Sequence, residues 1–164
     1  KIFDYNGNLL NSSVNFIQTN LNDIQEGVIF FGEKRIKIEY TKPQKITIIV
    51  SPKKGIYTNH ELEESQFFAT KNSYIKFLFN IFYDAKYLKN ASVRKSNSII
   101  EISEEVNLEN IDYKIILEYE NEPIKLRLLK IINNDDRIQM GFFNHNIEQN
   151  FKKDFFSMVD PYLD

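Results

Sequence analysis

Three short apolar segments in quick succession constrain this chain more than any other feature. They are Gly27-Val28-Ile29-Phe30-Phe31, Ile36-Lys37-Ile38-Glu39-Tyr40 and Ile46 to Val50, with a few polar residues between them. Ile36, Ile38 and Tyr40 alternate with Lys37 and Glu39, so a strand here has one apolar and one wetted face. Pro43 ends that strand or sets it at an edge, because proline has no amide to give to a ladder. Ile46 to Val50 is apolar on both faces except at Thr47. Pro52 and Gly55 punctuate the following turn; Gly55 to Thr58 and Gln66 to Ala69 read as two further strands.

The second half repeats this pattern. Ser98 to Ile102 is a short apolar segment. Ile115, Leu117 and Tyr119 alternate with Ile116 and Glu118, and Asn121 and Pro123 supply a hairpin turn. Ile124, Leu126 and Leu128 alternate with Lys125 and Arg127. Asn133 to Asp136 makes a second turn before Ile138, Met140 and Phe142. Many short strands joined by hairpins predict an α+β domain over residues 1–164 built on one large antiparallel sheet.

Two segments carry helical spacing instead. Phe3, Leu10, Val14 and Ile17 follow it over residues 1–17, interrupted at Asn6-Gly7-Asn8, with a turn expected at Asn22-Asp23. Tyr74 to Leu88 is the stronger signal: Tyr74, Leu78, Ile81, Phe82, Ala85 and Leu88 form a stripe that Ile75, Phe77 and Phe79 widen. Ser73 is its expected N-cap. A helix this apolar is buried on more than one side, or covers something apolar.

Chemistry is hard to find. The net charge is −2, from 21 Lys+Arg against 23 Asp+Glu, so composition carries no footprint for nucleic acid. There is no cysteine, which excludes disulfides and thiolate chemistry. No apolar run approaches the roughly 20 residues of a membrane-spanning helix. His60 lies in Asn59-His60-Glu61-Leu62-Glu63-Glu64, but position 64 is Glu where a zinc-peptidase helix needs a second His. His60 and His145 both read as turn or loop residues. The pairs Glu63-Glu64, Glu104-Glu105 and Asp135-Asp136 show no convergence on a common point. Five glycines form no phosphate-cradling loop. Neither catalysis, nor a metal, nor a cofactor is expected.

The order of motifs resembles the LolA family, periplasmic carriers of bacterial lipoproteins. Phe16-x-Gln18 is similar to the end of that family's first helix, Gly27 and the aromatic strand to its next element, and Ile36 to Tyr40 with Pro43 to its Phe-x-Trp-x-Tyr-x-x-Pro stretch. Ile48 to Ser51, the hairpin from Lys130 to Met140, and Phe155 to Pro161 are similar to later strands. The resemblance is weakest over residues 60–110. It implies an unclosed β-barrel with helices as a lid over an apolar cavity, without catalysis. Such a chaperone shelters acyl chains. It takes acylated lipoproteins from an inner-membrane ABC transporter and delivers them to an outer-membrane acceptor, as a periplasmic monomer whose export signal has been removed.

On that reading, alternation places Ile36, Ile38, Tyr40, Ile115, Leu117, Leu126 and Leu128 on the cavity wall, with Ile49 a further candidate. Phe16, Leu78, Ile81 and Phe82 would come from the lid helices. Leu117→Glu is then expected to abolish lipid binding and leave the fold intact. Many LolA proteins hold the lid with an Arg-Pro between the first two strands. This chain has Gly32-Glu33-Lys34-Arg35 there, which leaves Lys34 and Arg35 as lid-closing candidates. A lipid- or lipoprotein-binding sensor or acceptor of the same superfamily, RseB- or LolB-like, is the alternative. A β-rich binder of a water-soluble ligand is a third reading.

Overall fold

The computed structural model describes residues 2–84, 86–147 and 149–163; Ala85, counted in the helical stripe above, lies outside them. The chain opens with a short helix, α1 (Ile2–Gly7), and six strands follow. They are β1 (Ser12–Asn20), β2 (Asp23–Phe31), β3 (Ile36–Lys42), β4 (Ile46–Val50), β5 (Lys54–Asn59) and β6 (Glu64–Ala69). A single 3₁₀ turn, Thr70–Asn72, leads into α2 (Ile75–Tyr83). Five strands complete the sheet: β7 (Ser92–Lys95), β8 (Ile99–Leu108), β9 (Ile111–Glu120), β10 (Lys125–Ile132) and β11 (Arg137–Asn146).

All these strands pair antiparallel in the order β6-β5-β4-β3-β2-β1-β11-β10-β9-β8-β7. Every neighbour is consecutive in sequence except β1 and β11. The sheet is large, curved and unclosed, with β6 and β7 as its two edges. To pass from one edge to the other the chain must cross the concave face, and α2 is that crossing. Its Phe77, Leu78, Phe79, Ile81 and Phe82 are buried against residues from both halves of the sheet. Fully burying one such side chain contributes about 1.5–3 kcal/mol.

The helix expected over residues 1–17 is corrected to α1 plus β1. Phe16 therefore lies on a strand, not on a lid helix. Leu10, Val14 and Ile17 have helical spacing, but Val14 is buried while Leu10 and Ile17 are exposed, so they share no face. The reason is tertiary. β1 is hydrogen-bonded on both sides, to β2 and β11, and this pairing outweighs the local spacing. Phe16 sits opposite Gly27, where an added Cβ would come within 2.8 Å of the Phe16 ring.

α2 begins one residue later than expected, at Ile75 with Tyr74 as its N-cap, although Ser73 Oγ still accepts from the Ile75 amide at 3.3 Å. It stops earlier, at Asp84, whose backbone is extended. Leu88 is buried in the turn beyond. Both ends of α2 are fastened. The Tyr83 hydroxyl donates to the carbonyl of Gly32 (2.6 Å) or that of Arg35 (3.0 Å). Near the other end the Tyr113 hydroxyl donates to that of Tyr74 (3.4 Å), which donates to Asp136 Oδ2 (3.3 Å). Between them, buried Asn6 donates to Ile81 O and accepts from the Tyr119 hydroxyl, both at 3.2 Å.

Residues 149–163 form no strand, which corrects the expected closing strand from Phe155 to Pro161. They lie as an irregular strap across the outer face of β2 to β5. Phe151, Phe155 and Phe156 form a ring cluster, with Phe151 and Phe155 also against Phe30. Lys37 Nζ stands 3.9 Å from the Phe155 ring centre.

Candidate functional site

The expected cavity wall is a filled interior. Phe16, Ile36, Ile38, Ile115, Leu117 and Leu126 face inward and pack in one cluster with Leu78, Ile81 and Phe82 of α2. Phe82 meets Phe31 at 4.8 Å between ring centres. Tyr40 edges onto Phe16 at 5.3 Å, and its hydroxyl donates to Gln18 Oε1 at 2.7 Å. Burial pushes the Tyr40 phenol up to about 12, against the lowering effect of that bond. α2 thus plugs the concavity over these residues.

Two of the expected wall residues face the other way. Ile49 pairs with Ile56 on the outer surface, and both are buried beneath the strap. Leu128 turns outward because β10 bulges at Arg127: Tyr119 pairs with Leu126, then Glu118 with Leu128. The extra residue shifts the inward set to Leu126, Leu129 and Ile131. The Arg127 side chain swings out to the Glu120 carboxylate, with Nε at 2.7 Å.

Neither lid-closing candidate is bonded to α2 through its side chain. Arg35 Nη1 donates to Phe156 O at 2.8 Å and so holds the strap. Lys34 borders a cleft of about 260 Å³ between α1, α2 and the β2–β3 turn. The backbone of that turn secures α2 instead, through the Tyr83 hydroxyl.

Open space lies at the unclosed side of the sheet. A mouth of about 780 Å³ is framed by β5 and β6, the β8–β9 hairpin and the start of α2. Ile48, Phe68, Ile75, Leu108 and Ile111 give it apolar walls, and Tyr57, Tyr74 and Tyr113 stand among them. The Tyr74 phenol is raised well above its ordinary value, first by the Tyr113 hydroxyl and then by burial, so it stays neutral. Sequence reasoning missed this mouth. Its residues come from distant segments that only the curvature of the sheet brings together. The helix start at Tyr74 and Ile75 was the one local signal.

A second space, about 570 Å³, lies under the strap on the outer face, floored by Ile49 and Ile56. His60 occupies a turn at its rim, with Nε2 2.8 Å from Thr47 Oγ1 and Nδ1 2.8 Å from the Tyr162 hydroxyl. His145 is not in a turn but on β11. Among the described residues no group of His, Cys, Asp and Glu is placed to hold a metal ion, and no helix is long and apolar enough to cross a membrane.

The fold and site together define an antiparallel half-barrel, plugged by a helix and open at an apolar mouth. No family model matches the chain. No curated protein matches it in sequence. Among solved structures, the chain is similar to LprF from Mycobacterium bovis, at 9% identity over 93% of this chain and 94% of that one, with a TM-score of 0.47.

Proposed function

We propose that this protein binds the acyl chains of lipoproteins at the mouth and carries them through the periplasm, from an inner-membrane ABC transporter to an outer-membrane acceptor. The observation that carries the reading is an apolar cleft of about 780 Å³ at the side where the half-barrel is unclosed. Each methylene moved from water into such a cleft gains about 0.8 kcal/mol, which makes a carrier necessary for a multiply acylated cargo. The edges β6 and β7 are not paired to each other, so the gap can widen with no ladder to break between them. A ligand that prefers the wider state would shift the population toward it. The motif resemblance to LolA supports the carrier role over a sensor or acceptor. The protein acts as a monomer, without catalysis or cofactor.

The test belongs at the mouth. Ile111 is 47% exposed on the β8–β9 hairpin, so Ile111→Glu leaves the interior packed. The substitution is expected to weaken binding of a fluorescent acyl probe at least about tenfold, from loss of apolar contact and burial of a charge. Unchanged affinity in the folded variant would overturn the assignment. Pull-down from a periplasmic extract is expected to recover acylated lipoproteins and to lose them after deacylation.

A further inference from the structure

We infer that the mouth takes amphiphiles with a cationic or uncharged headgroup and rejects anionic ones; this rests on the reading of the mouth as an acyl-chain site. Among the described residues its lining contains no Lys, Arg or His. The one ionisable side chain there among the described residues, besides the tyrosines, is Glu109, at the tip of the β8–β9 hairpin. Glu109 has φ 50° and Asn110 φ 64°, a tight turn that sets the tip beside Leu108 and Ile111. A second carboxylate, Asp136, stands behind the rim on the Tyr74 hydroxyl. Lys71, Lys76 and Lys114, each next in sequence to a lining residue, are not themselves part of the lining.

The start of α2 does not offset this. A helix N-terminus attracts anions through its unpaired amides. Here they are engaged: the Ile75 amide donates to Ser73 Oγ (3.3 Å), that of Lys76 to Ser73 O (3.0 Å) and that of Phe77 to Tyr74 O (2.9 Å). Tyr57 and Tyr74 line the mouth with partly exposed rings, while Tyr113 is buried behind them with its hydroxyl on that of Tyr74. Ring faces attract cations, and hydroxyls satisfy neutral polar groups. An anionic headgroup entering the mouth finds no cationic partner and meets the field of Glu109. A cationic one meets the rings of Tyr57 and Tyr74, and a hydroxyl-bearing one carries no charge for Glu109 to repel.

The experiment uses the whole chain and three amphiphiles with one dodecyl tail and trimethylammonium, maltoside or sulfate headgroups. Each competes with a neutral fluorescent acyl probe below its micelle concentration, with circular dichroism following the fold. The trimethylammonium and maltoside compounds are expected to compete about tenfold more strongly than the sulfate. Glu109→Lys is expected to shrink or reverse that ratio. If dodecyl sulfate competes as well as the others, or if Glu109→Lys leaves the ratio unchanged, the headgroup inference falls and the acyl-chain reading stands. If none of the three displaces the probe, both fall.

Discussion

His145 shows how one residue ties this fold to pH. Burial lowers its pKa below the ordinary 6.5, and the nearby Arg127 and Lys125 push the same way, against the backbone hydrogen bond with Leu126 and the charge of Glu120. The folded state therefore keeps this imidazole neutral while the unfolded chain protonates it first. Stability should fall as pH drops through about 6.5 toward the folded pKa, because the unfolded state binds more protons there. His145→Gln is expected to remove that part of the acid sensitivity, read as a smaller loss of urea midpoint between pH 7.5 and 5. Leu117 makes a different point. It is fully buried in a filled interior, so Leu117→Glu is expected to unfold the chain rather than yield a folded non-binder. Leu117→Ala should cost about 2–5 kcal/mol, measured by chemical denaturation. The test of lipid binding moves from Leu117 to Ile111 for this reason.

The elements differ in how plainly the residues announce them. Ile36-Lys37-Ile38-Glu39-Tyr40 reads correctly because period-2 alternation has one interpretation when one face is wet. Phe16 reads wrongly because residues 10–17 satisfy both periods, and pairing with β2 and β11 decides between them. Leu128 fails for a subtler reason. Its segment alternates cleanly in sequence, but the bulge at Arg127 moves every later side chain to the other face. α2 was legible as a buried helix, and its role as plug follows only from the sheet order. The strap was legible only in part, since an aromatic run beside a proline fits a strand or a covering segment equally well. Its energetics are testable. Phe155→Ala removes ring contacts with Phe30, Phe151 and Phe156 and the Lys37 contact, and should cost about 1–3 kcal/mol. It should also speed tryptic cleavage at Lys152 and Lys153 while leaving probe binding at the mouth unchanged.

At the scale of the whole molecule, the sheet is a meander with one long-range seam. Phe16 pairs with Phe142 across nearly the full chain, and the seam brings the two halves together at β1 and β11. The opposite side stays open, and its two edges are joined by the segment from Thr70 to Ala91. In mechanical terms the sheet is a bow and that segment its string, knotted midway to the β2–β3 turn by Tyr83 and to Tyr119 through Asn6. Spreading the limbs pulls on the string and strains those two fastenings first. On the proposed reading, guest size is then limited by these two fastenings rather than by the softness of the walls. A larger guest cannot be admitted without lifting α2 from its seat.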